Sequence, residues 1–356
     1  MSKEEIRPRL SREEYEVVKK YRGIKNASNT ANVDVRDVKH GWLKSKDASI
    51  FFTNPEHSQP ILDVDTIDWE KITKEIFSEV NHTVVDNSLK KGLFDRLVYT
   101  DVHIGMKISE TAQYDFKWNK EELLKSLDKM IKFVVKQQQA DILIIDDLGD
   151  FMDGWDSMTV RRQHKLPQNM TNNEAFDVGV MFKLKLVNEL SKHYKKIICH
   201  NLTQDNHAGS FGYVVNSAFK AVAKQMFDNV EIINYRKFIN HYTIKDNTFI
   251  VCHGKDSENL KYGLKPKLDA KALGQINNYI DMNFLAKKDM QIEFSKGDSH
   301  IELIDKQLPT RFTYWCYPAF SPASSWVQAN FVPKDYGFYF FNYESSKRYS
   351  ILPYYF

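Results

Sequence analysis

Asp141-Ile142-Leu143-Ile144-Ile145-Asp146-Asp147-Leu148-Gly149-Asp150-Phe151-Met152-Asp153-Gly154 is the stretch on which the fold of this chain turns. Its first part, Asp141 to Ile145, is short, apolar and rich in β-branched residues, which predicts a buried strand. A glycine and two carboxylates, Gly149, Asp150 and Asp153, follow where that strand should end. On its own a Gly-Asp pair after a strand is turn chemistry. The same arrangement recurs along the chain, however. Leu97-Val98-Tyr99 leads to Asp101-Val102-His103, and Lys196 to Cys199 leads to Asp205-Asn206-His207. Phe249 to Cys252 leads to His253-Gly254, and Ile292 to Phe294 leads to Gly297-Asp298-Ser299-His300.

Helical patterns lie between these runs. The spacing of apolar residues predicts helices over about 120–137, 173–193 and 214–227, with further strands over 230–234 and 241–244. Such alternation implies an α/β fold. From about Gln291 the chain is strand-like and aromatic, with Tyr314, Trp315, Tyr317 and the run Phe338 to Phe341. This predicts a second sheet packed on the first, with the aromatics in the core. Ligands of α/β sheets bind beyond the carboxyl ends of the strands. The five polar clusters are therefore expected to meet in one place.

Residues 1–90 read as a separate, helical accessory module, and 91–356 as the catalytic domain. Ser11 and Glu14 form a capping-box pattern, and Trp69, Ile72, Ile76 and Phe77 predict a second helix over Asp68 to Val80. Asn81 to Lys91 reads as a linker. His40, Trp42, Lys44 and Lys46 suit a small packed module with a wet rim. Aromatics interleaved with lysines also suit single-strand stacking. Partner contact or a homodimer is a further alternative.

Composition narrows the class. With 356 residues, 42% hydrophobic and 27% charged, the chain has the balance of a soluble globular protein and not of a disordered or fibrous one. It has no apolar run of about 18 residues to span a bilayer. Met1-Ser2-Lys3-Glu4-Glu5 lacks the apolar segment of a secretory signal. Cys199, Cys252 and Cys316 form no CxxC pair, which argues against a disulfide framework or a zinc knuckle. A cytoplasmic setting with no membrane partner is expected. The net charge of +3 is too small to speak for or against nucleic acid.

The series Asp101-x-His103, Gly149-Asp150-x-x-Asp153, Asn206-His207, His253 and Asp298-x-His300 resembles the calcineurin-like metallophosphoesterases, over about Leu97 to His300. Within them it looks closest to the Mre11/SbcD-type DNA nuclease branch. The resemblance implies a four-layer α/β/β/α sandwich of two packed mixed β-sheets flanked by helices. It also implies two divalent metal ions, Mn²⁺ foremost, with Mg²⁺, Fe or Zn²⁺ as alternatives. Asp101, His103, Asp150 and His300 would hold the first. Asp150 would bridge to the second, with Asn206, His253 and Asp298. A metal-bridging hydroxide would attack, His207 would protonate the leaving oxygen, and Asp153 would orient His207. Three positions depart from the family pattern. Asp205 replaces a glycine, Ala208 an acidic residue, and Asp298 a histidine. A carboxylate at 298 favours hard ions.

The branch that dephosphorylates proteins carries Arg after the second Asp, where this chain has Gly154. Downstream lie Arg161, Arg162, His164 and Lys165, cations suited to phosphates flanking a scissile one. DNA is the expected substrate. The rivals are a small-molecule or cyclic-nucleotide phosphoesterase and a scaffold that has lost activity. No docking motif for an ATPase partner is evident.

Overall fold

The computed structural model describes residues 92–255 and 266–356, and in the N-terminal region the backbone of 42–44 and 51–53. The chain divides into two compact units, Met1–Lys71 and Ile72–Phe356. In the first, strands β1 (Trp42–Lys44) and β2 (Phe51–Thr53) pair antiparallel. The helices expected around Ser11 and over 68–80, and the linker, lie outside the described residues.

The second unit runs β3 (Phe94–Tyr99), α1 (Lys120–Gln137), β4 (Ile142–Asp147), α2 (Asn172–Ser191), β5 (Lys196–Leu202), α3 (Ser210–Met226) and β6 (Val230–Tyr235). It continues with β7 (Ile239–Ile244), β8 (Asn247–Cys252), α4 (Ala270–Met282), β9 (Gln291–Lys296), β10 (Leu303–Asp305) and β11 (Thr313–Cys316). Helix α5 (Ser325–Asn330), β12 (Gly337–Tyr343) and β13 (Tyr349–Tyr355) close it. One sheet has the order β13-β12-β3-β4-β5-β6, the other β10-β11-β9-β8-β7. β3 to β6 are parallel, as are β8, β9 and β11, while β12, β13, β7 and β10 are antiparallel to their neighbours.

Period-two alternation sorts the side chains into layers. On β3, Leu97 and Tyr99 join a core with Leu127, Met130 and Val134 of α1 and Phe182 and Leu186 of α2. Phe94 and Val98 point the other way, into a second core with Phe249 and Val251 of β8, Trp315 of β11, and Tyr339 and Phe341 of β12. Ile250, Cys252, Phe294 and Tyr314 leave that inter-sheet layer and pack on Ile276 and Ile280 of α4. The result is helix, sheet, sheet, helix, the four-layer α/β/β/α sandwich anticipated from the sequence. The sheets pack because each offers an apolar face to the other.

Two expectations are corrected. The C-terminal aromatic segment does not form one second sheet. Its last two strands, β12 and β13, extend the first sheet beside β3, whereas β7 and β8 belong to the second. Helix α3 starts at Ser210, not 214. Helices α4 and α5 were not anticipated. Helix starts follow local chemistry: Asn119 accepts from the Glu122 N–H at α1, and Thr171 and Glu174 form a reciprocal capping box at α2.

No helix among the described residues is long and apolar enough to cross a membrane. Cys199, Cys252 and Cys316 are buried and in no disulfide.

Candidate metal centre

β3, β4 and β5 are parallel, and β8 runs parallel to β9, so the carboxyl ends of each set lie together. The loops leaving β3 and β4 then zip together. Asp101 N–H donates to the Gly149 carbonyl at 2.9 Å, His103 N–H to Asp150 at 3.0 Å, and Asp153 N–H to Ile104 at 3.0 Å. The second sheet joins through Asp298, whose N–H donates to Asp101 Oδ2 at 3.1 Å. Ser321 donates its hydroxyl to the Asp101 carbonyl at 2.9 Å.

Three overlapping groups of side chains can each grip one cation: Asp101, His103 and His300; His103, Asp150 and His207; and Asp101, Asp150 and His253. Asp101 Oδ1 lies 3.0 Å from His300 Nε2. The Nε2 atoms of His103 and His300 face each other at 3.2 Å. Asp150 Oδ2 is 3.0 Å from His253 Nε2 and 3.7 Å from His207 Nε2. The Nδ1 atom of His253 lies 2.8 Å from the Leu148 carbonyl. A hydrogen bond there turns Nε2 toward the centre, the usual outer support of a ligating imidazole.

Several of these atoms are buried and lack a hydrogen bond: His253 Nε2, Asn206 Oδ1, Asp298 Oδ2 and His103 Nδ1. The two ring nitrogens do have carboxylate oxygens near them, Asp150 Oδ2 at 3.0 Å from His253 Nε2 and Asp153 Oδ1 at 3.1 Å from His103 Nδ1. Buried polar atoms are normally satisfied. Imidazole nitrogens gathered around shared buried carboxylates, with the unsatisfied Asn206 Oδ1 beside them, fit divalent cations well.

The backbone agrees. Asp101, His103, Asp150, Asp298 and His300 all have left-handed φ, between 46° and 67°. Each such non-glycine residue costs on the order of 1–3 kcal/mol, and strain of this kind gathers at functional sites. Gly149, at φ +98, brings the backbone against His253, whose ring would lie 3.0 Å from an added Cβ. Only glycine fits there.

Electrostatics follow from burying many charges together. Burial works against ionised Asp150, but His207 and His253 outweigh it and hold its carboxyl below the usual range. Burial also pushes His253 down, yet Asp150 and Asp101 raise it to about 10. His103 and His207 are raised too, against burial, by the neighbouring carboxylates. The carboxylates thus attract positive charge, which imidazolium supplies in the metal-free protein and divalent metal supplies otherwise.

His207 sits at the mouth, its side chain 20% exposed, as is His300 at 22%. Its Nδ1 lies 3.1 Å from the Asp153 carbonyl and 3.5 Å from Asp153 Oδ1. Asp153 Oδ1 also lies 3.1 Å from His103 Nδ1.

Of the residues expected at the site, Asp101, His103, Asp150, Asp153, His207, His253 and His300 come together. Asn206 lies on the adjoining loop, and its carbonyl accepts from Arg161 N–H at 3.2 Å. Asp298 belongs to none of the three groups; its Oδ1 pairs with Lys255 Nζ at 3.1 Å. The loop carrying Arg161, Arg162, His164 and Lys165 is fastened beside His207, because Val160 N–H donates to the His207 carbonyl at 2.9 Å. Arg162, His164 and Lys165 are exposed.

Asp205, noted in the sequence only as a departure, organises two loops. Its Oδ1 accepts from Ala208 and Gly209 N–H at 2.8 and 3.0 Å, and Oδ2 from Asp150 N–H at 3.2 Å. Burial first, then the nearby Asp150 charge, raise its carboxyl to about 7. An Asp whose side chain can accept from backbone N–H groups a few residues on is turn chemistry, the signal that would have found it.

No family model matches the chain, and no curated protein sequence matches it. Solved structures with some likeness include a dimetal phosphatase from Danio rerio, at 9% identity and TM-score 0.35, covering 74% of this chain and 96% of that one. Vps29 complexed with Zn²⁺ from Entamoeba histolytica has 10% identity and TM-score 0.29, covering 73% and 97%. A predicted phosphoesterase from Streptococcus pneumoniae has 7% identity and TM-score 0.26, covering 73% and 97%. These likenesses are too distant to assign a function.

Proposed function

We propose that this chain is a metal-dependent phosphodiesterase acting on polynucleotides, DNA foremost. The observation that supports it most is the concentration of strained, buried carboxylate and imidazole ligands at the joined strand ends. Asp101, His103, Asp150, His253 and His300 are the residues to hold divalent metal, with Asn206 beside them. Bound metal supplies charge for phosphoryl oxygens and acidifies water.

The chain's own residues do the rest. His207 stands at the solvent-facing edge with Nδ1 toward Asp153 and Nε2 toward the centre, so Nε2 is placed to give a proton to the departing oxygen. Asp153 fixes the imidazole that does this. The basic loop next to His207 supports a polymeric substrate, since Arg162, His164 and Lys165 can meet phosphates on either side of the cleaved one.

The test compares bis-p-nitrophenyl phosphate, p-nitrophenyl phosphate, and single- and double-stranded DNA, with Mn²⁺ and with chelator. Diester and DNA are expected to be cut in Mn²⁺ only, and His207→Ala to lower the rate by about 10²–10⁴-fold. Faster monoester cleavage would make the chain a phosphatase. Diester cleavage with intact DNA would restrict it to small substrates.

Metal should also stabilise the fold. Free Mn²⁺ at a hundred times its Kd adds about 2.7 kcal/mol. For a domain of this size that is a Tm increase of roughly 5–10 °C. Differential scanning fluorimetry with and without chelator checks it, and an unchanged Tm counts against a resident metal.

A further inference from the structure

Next to His253 lies a carboxylate that a lysine already holds. Asp298 has a nearly buried side chain, with Oδ1 3.1 Å from Lys255 Nζ and Oδ2 buried without a hydrogen bond. Its backbone is anchored in a left-handed turn by donation to Asp101 Oδ2. Gly254, at φ +114, separates Lys255 from His253, and an added Cβ there would meet Asp298 Cβ at 3.3 Å and Lys296 Cε at 3.1 Å. Asp298 is therefore packed against the strand end that presents His253. Lys296 is fully buried and donates to Ser299 Oγ at 2.7 Å. Lys255 is different: its side chain is 32% exposed, so its ammonium can exchange with solvent.

We propose that Lys255 competes with a divalent cation for Asp298, so that the His253 side of the centre holds its cation more weakly than the Asp101–His103–His300 side. The inference rests on the metal-dependent reading above. Its physical basis is that one carboxylate cannot give its full charge to two cations. An ammonium at 3.1 Å from Oδ1 both neutralises Asp298 and repels a metal approaching Oδ2. Asp298 belongs to none of the three ligand groups, as expected of a carboxylate held by an ammonium beside the His253 group.

The test is Mn²⁺ titration of the full chain by calorimetry, which reads binding without any hydrolysis. The wild-type protein is expected to bind two equivalents with distinct affinities. Lys255→Gln should tighten the weaker step about tenfold, as loss of a competing charge predicts, and leave the stronger within about twofold. Lys255→Arg keeps the charge and should leave both steps unchanged. Asp298→Asn should weaken the second step, and adding Lys255→Gln to it should have no further effect.

A weaker step that is unchanged or loosened in Lys255→Gln overturns the proposal. So does an equal gain in the Asp298→Asn background, or a Lys255→Arg protein that behaves like Lys255→Gln. Wild-type protein that binds no Mn²⁺ overturns this proposal and the phosphodiesterase reading together. Hydrolysis assays bear on that reading alone.

Discussion

Asp150→Asn is expected to lower Mn²⁺-dependent diester hydrolysis by about 10³-fold or more, since several kcal/mol of charge stabilisation depends on a correctly held metal. Asp150 is shared by two of the three ligand groups, and its Oδ2 lies 3.0 Å from His253 Nε2 and 3.7 Å from His207 Nε2. Asparagine keeps the shape, and its carbonyl still accepts the His207 N–H that now reaches Asp150 Oδ1 at 3.4 Å. The left-handed backbone at φ +46 is also one that asparagine tolerates. What changes is the negative charge between two histidines. Metal binding and rate should fall together, measured by calorimetry and by turnover of bis-p-nitrophenyl phosphate. The Tm increase with Mn²⁺ should shrink as well. Asp205→Asn is the control: it touches the same loop through Asp150 N–H but is in none of the ligand groups. A loss as large as that of Asp150→Asn would mean that loop geometry, and not ligand charge, governs activity.

The site was more legible in the sequence than the sheets were, for a physical reason. A ligand cluster at a strand end is local, so apolar run followed by Asp-x-His or Gly-Asp-x-x-Asp shows it directly. Strand neighbours are not local. The alternation in Phe338 to Phe341 reveals a strand, but nothing in it says that Phe341 pairs with Arg96 in the first sheet. Helix α4 was missed because it buries only Ala272, Ile276 and Ile280, a narrow stripe, and carries Gly274 and paired asparagines of low helix propensity. Helix α5, at six residues, is too short for periodicity to show. The position of Arg161 beside the His207 loop rests on backbone hydrogen bonds, which leave no mark on side-chain identity. The hold of Lys255 on Asp298 needs β8 and β9 side by side.

Arg96→Met should destabilise the protein by about 3–5 kcal/mol, the usual cost of stripping one partner from a buried ion pair. That corresponds to a Tm lower by roughly 6 °C or more, readable by thermal unfolding with chelator present. Arg96 is wholly buried between the sheets, with its Nε donating to Asp146 at 2.7 Å, its other nitrogens to Glu293 and Ser295, and its guanidinium 4.1 Å from the Phe249 ring. Burial disfavours its charge, but Glu293 foremost, with Tyr242 and Asp146, holds its pKa well above the ordinary value. Methionine leaves Asp146 on one sheet and Glu293 on the other as buried carboxylates without their cation. Tyr242, which donates to Asp146 at 2.7 Å, cannot replace it. Replacing all three, with Asp146→Leu and Glu293→Leu added, should recover most of the stability, because an apolar cluster of similar volume is often no worse than a buried ion network. Activity is expected to recover less. Arg96 lies on the strand that leads to Asp101, Asp146 on the one that leads to Asp150, and Glu293 on the one that leads to Asp298 and His300. The network joins the two sheets upstream of the ligands each contributes. Apolar side chains can fill that layer in more than one arrangement, whereas Arg96 fixes how the halves of the metal centre face each other. Full recovery of both stability and turnover in the triple variant would show that packing alone sets that alignment.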